Sequence, residues 1–99
     1  MRDNIIEENN LVEVDSLSFG DGYSWTEIEV FYSKELKRFF WLEGSGCSCN
    51  SLWEDVKSLA DMCDGTRLAA ASAVRSLAEE NRSEFYGDIA TAANKVLSF

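Results

Sequence analysis

The sequence predicts an α+β domain in which a small antiparallel sheet of about three strands is followed by three helices packed on one sheet face. Two observations carry that prediction. Between Leu11 and Glu43, β-branched and aromatic residues recur with a period near two, whereas after Ser51 the apolar period lengthens to that of a helix. Strands first and helices afterwards is the pattern of segregated elements. The length of 99 residues fits one domain spanning 1–99, able to bury about 60–65% of its unfolded surface. An apolar fraction of 45% with 12% aromatic residues excludes a disordered chain.

Residues 1–10 are polar and acidic, with Ile5 and Ile6 as the only anchors, and read as a loosely held N-terminal segment. Leu11, Val12, Val14, Leu17 and Phe19 predict a first strand. Gly20-Asp21-Gly22 reads as a turn, because glycine reaches positive φ without steric cost. Tyr23–Ser33 is the clearest strand, with Tyr23, Trp25, Glu27, Glu29 and Phe31 on one face and Ser24, Thr26, Ile28, Val30 and Tyr32 on the other. A charged turn over Ser33–Lys37 returns the chain into a third strand, Arg38–Glu43, which makes an antiparallel hairpin.

A glycine–serine loop holding Cys47 and Cys49 comes next. Ser51-x-x-Glu54 has the form of a capping box, and Leu52, Val56, Leu59, Ala60 and Cys63 make one apolar stripe, so a helix is expected up to Asp64-Gly65. Thr66 is expected to cap a second helix with Leu68, Ala71, Val74, Leu77 and Ala78 inward. Ser83 should cap a third, with Phe85, Ile89, Ala92, Val96 and Phe99 inward.

Lys and Arg number 9 against 18 Asp and Glu, a net charge of −9. So acidic a chain is repelled by nucleic acid and by anionic membranes, which leaves a protein, with a basic surface as the natural complement. No basic segment precedes an apolar one at the N-terminus, and no apolar run approaches the ~20 residues of a membrane span. Three cysteines, an odd number, do not close a disulfide framework, so the chain reads as cytoplasmic and reduced. The absence of His removes the commonest general base, and no catalytic constellation emerges; the chain reads as a non-enzyme.

Two sets of residues compete as a site. The first is aromatic and acidic: Phe39, Phe40 and Trp41 are consecutive, so Phe40 or the Phe39/Trp41 pair faces outward unless both sheet faces are covered. With Trp25, Glu27, Glu29, Glu43, Gly44 and Gly46, an outward Phe40 or Trp41 forms a candidate recognition surface, since aromatics concentrate at interface hot spots. The second is Cys47, Cys49 and Cys63, as a thiolate zinc site or a redox-active loop. Zinc takes four ligands, so Asp61, Asp64, water or a second chain would complete the set. A helix N-terminus after the loop would favour a thiolate, and Glu43, Glu54 and Asp55 would oppose it. Acids spread over the helices also admit a nucleic-acid mimic, although scattered carboxylates ordinarily serve solubility.

The runs Tyr23-Ser24-Trp25, Val30-Phe31-Tyr32, Phe40–Cys49, Trp53-Glu54-Asp55-Val56 and Ser58-Leu59 resemble an uncharacterised family of small proteins encoded by tailed phages of actinobacteria. The similarity covers about Tyr23–Leu59 and marks the G-S-G-C-S-C segment as a family signature; it implies an origin and no assigned activity. The expected function is that of a small acidic phage accessory protein in the host cytoplasm. It would act by binding a host or phage protein, without a cofactor, and inhibition of a host nucleic-acid-handling or defence protein is one version. The alternative is the metal-binding or redox module at the cysteines. Homo-oligomerisation through sheet edges or the last helix is the third reading.

Overall fold

Strand pairing follows the alternation of the sequence and then runs past it. The computed structural model describes residues 2–20, 23–82 and 88–99. Four strands, β1 (Leu11–Gly20), β2 (Ser24–Ser33), β3 (Arg38–Cys47) and β4 (Cys63–Gly65), form one antiparallel sheet in sequential order. Helices α1 (Arg2–Glu8), α2 (Arg67–Glu80) and α3 (Ile89–Leu97) complete the described elements, with a 3-10 turn at Leu59–Asp61. None of these helices is long and apolar enough to cross a membrane. The turn expected at Asp21 and Gly22, the cap at Ser83 and the inward Phe85 lie outside the described residues.

The two faces of β2 and β3 bury separate cores. On one face Ile28, Val30, Phe39 and Trp41 meet Ala70, Ala71, Val74 and Leu77 of α2 and Ala92 and Val96 of α3. On the other, Phe31, Phe40 and Leu42 meet Ile5 of α1, Leu11, Val56 and Met62. Each such large apolar side chain contributes ~1.5–3 kcal/mol relative to exposure. The expectation of helices on one face alone is therefore corrected: α1 and the 52–62 segment cover the second face, and none of Phe39, Phe40 and Trp41 points into solvent.

Four further expectations change. Arg2–Glu8 is a helix anchored by the buried Ile5. Gly44–Cys47 is strand, extending β3 opposite Ser24–Glu27. The helix expected between Ser51 and Asp64 is replaced by turns and the 3-10 turn, and the chain enters β4, which pairs with Phe39–Trp41. Unpaired backbone along the β3 edge offers Cys63–Gly65 a ladder, and that competes successfully with the local helix signal. Leu68 faces solvent, while Ala70 takes an inward position.

Each of the last two helices starts on a side-chain cap. Thr66 accepts the Ala69 amide at its hydroxyl, and Asp88 accepts the Ala90 amide at its carboxylate. Arg67 joins the pair: its Nη1 donates to the carbonyls of Val96, Leu97 and Phe99 at 2.9, 3.3 and 2.7 Å, and its guanidinium lies over the Phe39 ring. A cation at a helix C-terminus meets the partial negative charge there.

Candidate functional site

The end of the sheet where β2 begins and β3 finishes collects most of the residues that the sequence singled out. Trp25 stands opposite Gly46, and Glu27 opposite Gly44. A strand glycine marks close approach by another group, and at Gly44 that group is Leu52, whose Cδ1 would lie 3.3 Å from a Cβ, with the Trp25 ring beside it at 3.9 Å. A Cβ on Gly46 would overlap the Asn50 amide. Gly44 thus leaves room for Leu52 and the indole, and Gly46 for the turn.

That turn is tightly hydrogen-bonded. The Trp25 indole Nε1 donates to the carbonyls of Cys47 and Asn50 at 2.8 and 3.1 Å. The Cys47 amide donates to Asn50 Oδ1 at 3.0 Å, and the Asn50 amide returns to the Cys47 carbonyl at 3.2 Å. The Ser48 amide reaches the Tyr23 carbonyl at 3.0 Å. Within this clamp Cys47 and Cys49 are joined by a disulfide. The expectation of three reduced thiols is corrected, because a pair separated by one residue needs no framework elsewhere. Cys63 is free and exposed on β4, opposite Trp41. Trp41 lies six positions from Cys47 along β3, about 20 Å at the strand rise, so the three cysteines do not converge. Among the described residues no group of three or more Cys, Asp or Glu side chains is placed to hold a metal.

Tyr23 is 82% exposed beside the half-buried Trp25. Between them and Gly20 lies a hollow of about 220 Å³. On the helix side of the same end, a cleft of about 360 Å³ opens among Thr26, Glu43, Ser45, Leu77 and Glu80. Among the described residues, neither is lined by Lys or Arg. Gly44 and Ser45 line the cleft, and Trp25, whose indole donates to the Cys47 carbonyl, lines the hollow. A family model for a domain of unknown function, DUF7574, matches residues 3–98. The chain belongs to the DUF7574 family. No curated protein and no solved structure matches it.

Other members of the expected surface are engaged within this DUF7574 domain. Glu29 accepts from the Trp53 indole and pairs with Arg2 at 3.3 Å. Arg2 also pairs with Glu13 and lies over the Phe31 and Trp53 rings. Burial works against the Arg2 charge, but the hydrogen bond and charge of Glu29, with Glu13 and Asp3, win and raise its pKa above the ordinary value. Glu29 thus ties α1 to the sheet. Phe40 and Trp41 belong to the cores, and Glu27 and Glu43 remain at the rim. Tyr23, Asn50 and Glu80 were not singled out from sequence. Tyr23 shares the Trp25 face by alternation, which was a usable signal, whereas Asn50 and Glu80 join the rim only through the fold.

Away from the rim, Asp15 follows a register shift between Glu13 and Asp15, and its side chain is 1% exposed. Its Oδ1 accepts the Ser16 amide at 2.8 Å and lies 3.8 Å from Lys95 Nζ, while Oδ2 has no hydrogen-bond partner among the described residues. Burial raises the Asp15 pKa, against the Ser16 hydrogen bond and the Lys95 charge.

Proposed function

We propose that the chain is a protein-binding module whose contact surface is the rim at Tyr23, Trp25, Glu27, Glu43 and Glu80, and whose partner presents a basic surface. The observation that carries this reading is the exposed Tyr23 beside a Trp25 whose indole is already fixed by two hydrogen bonds. An aromatic held in place before binding loses little conformational entropy in a complex. Carboxylates on both faces of that sheet end, Glu27 on the Trp25 face and Glu43 and Glu80 on the helix face, with a net charge of −9, speed and select association with a cationic partner and repel nucleic acid. No catalytic group or cofactor is invoked. The resemblance to phage-encoded proteins supports a role as a phage accessory protein in the host cytoplasm, with a host nucleic-acid-handling or defence protein as the target.

The test is capture from host lysate with the wild-type chain, Tyr23→Ala and the double variant Glu43→Gln/Glu80→Gln, all shown folded by unchanged melting. One protein retained by the wild type, lost by Tyr23→Ala and weakened by the double variant supports the reading. Equal retention by all three, or no specific retention, refutes it.

A further inference from the structure

We infer that Cys47 and Cys49 are a reversible dithiol–disulfide pair that exchanges two electrons with thiols in solution, a property independent of any binding partner. Three features converge on it. Both residues are exposed at the sheet end, so an attacking thiolate can reach the bond. The closed ring spans only Cys47, Ser48 and Cys49, so the bond removes little chain entropy from the unfolded state and is not needed to hold distant parts together. The turn is also held without it, by the hydrogen bonds from Trp25 to Cys47, from Cys47 to Asn50 and from Ser48 to Tyr23. The bond can therefore open while the strand end keeps its place. Exposed disulfides that carry little structural role are the labile and regulatory ones.

The exchange balances without a metal or cofactor. A thiolate RS⁻ attacks one sulfur of the pair, forms a mixed disulfide and releases the other sulfur as thiolate. A second RS⁻ attacks the RS sulfur of the mixed disulfide, giving RSSR and two protein thiolates, which take two protons from water. The protein gains two electrons and the small thiol is oxidised. Cys63, six strand positions away on β4, has no part in the cycle. Because Trp25 donates to the Cys47 carbonyl, the indole senses the change.

The experiment uses full-length Cys63→Ser protein equilibrated across ratios of reduced to oxidised glutathione, then quenched by alkylation and weighed. The expected result is a smooth passage from no alkyl groups to two across the series, with a parallel shift in tryptophan emission that Trp25→Phe abolishes. The fully reduced protein should still melt cooperatively. The inference is overturned if the pair takes two alkyl groups at every ratio, if excess dithiothreitol leaves it closed, or if reduction unfolds the domain. A single persistent glutathione adduct in place of the internal bond also refutes it.

Discussion

The indole Nε1 of Trp25 donates to the Cys47 carbonyl at 2.8 Å, tying the beginning of β2 to the last residue of β3. The same nitrogen reaches Asn50, so one side chain closes the turn that carries the cysteine pair. Trp25→Phe keeps an aromatic side chain at this position and removes both hydrogen bonds. The expected loss is about 1 kcal/mol, the net worth of an intramolecular hydrogen bond, read as a lower urea midpoint at unchanged slope. Amide exchange should accelerate at Ser48 and Asn50 and stay slow at Phe31. An unchanged midpoint with unchanged exchange would show that the indole is a bystander.

Gly46 and Asn50 form a matched pair. A Cβ at Gly46 overlaps the Asn50 side chain, so Gly46→Ala must displace it and lose its bond to the Cys47 amide. The expected cost of Gly46→Ala is ~1–3 kcal/mol, that of overpacking. Asn50→Ala alone should cost about 1 kcal/mol. The double variant should lose less than the sum, because removing the amide removes the clash. Additive costs in that cycle would mean that the two residues do not share the turn.

Both sheet faces should prove to be core. Phe40→Ala and Val74→Ala act on opposite faces, at residues 5% and 0% exposed. The phenylalanine is expected to lose ~3–5 kcal/mol and the valine somewhat less, each by chemical denaturation. Tyr23→Ala should stay within about 0.5 kcal/mol of wild type, as a surface change does. A mild Phe40→Ala would restore the outward-facing aromatic that β alternation first suggested.

Those outcomes bear on how much the sequence disclosed. The β2–β3 hairpin, the Thr66 cap and the inward positions Ala71, Val74, Leu77, Ala92 and Val96 were readable, because local pattern and tertiary packing agree there. One disagreement lies at Gly44–Gly46, where Gly-Ser-Gly has poor strand propensity and cross-strand pairing with Trp25–Glu27 keeps it extended. Ser51-x-x-Glu54 carries a sound helix signal, yet Val56 and Met62 bury against Phe31 and Phe40 without a helix, and Cys63 joins the sheet. The rim was half visible: Trp25, Glu27, Glu43 and the glycines were named. The residues that complete it, Asn50 and Glu80, arrive from later segments through contacts that no local spacing encodes.

Arg67 should prove to be the clasp between α2 and α3. Its three carbonyl partners all lie at the end of α3, and its guanidinium covers Phe39. Lysine keeps the charge but loses the planar fork and the stacking. Arg67→Lys is expected to lower stability by about 1 kcal/mol, the net worth of a hydrogen bond, and Arg67→Ala, which also removes the helix-terminus charge, by more. Hydrogen exchange should quicken across Ala92–Val96 before it changes in β2. Uniform acceleration throughout the domain would place the effect outside the α2–α3 contact.

Asp15 should set part of the pH dependence of stability. Burial holds its folded pKa above the ordinary value, against the Ser16 hydrogen bond and the Lys95 charge. A raised folded pKa means that the favourable contribution is complete below the unfolded pKa, ~3.9, and is lost as pH rises through the folded value. The ionised carboxylate, with Oδ2 unpartnered, is therefore a cost at neutral pH. Asp15→Asn keeps the shape without the charge, so it is expected to be more stable than wild type at pH 7, with the gap closing as pH falls into the carboxylate range. Lys95→Met removes the one cation facing Asp15 from α3 and should widen that gap in the Asp15 background, while leaving Asp15→Asn nearly unchanged. Urea midpoints of the four proteins across acid and neutral pH give the answer. A gap that stays constant with pH, or an Asp15→Asn protein weaker than wild type at neutrality, would show that the carboxylate is stabilised where it sits.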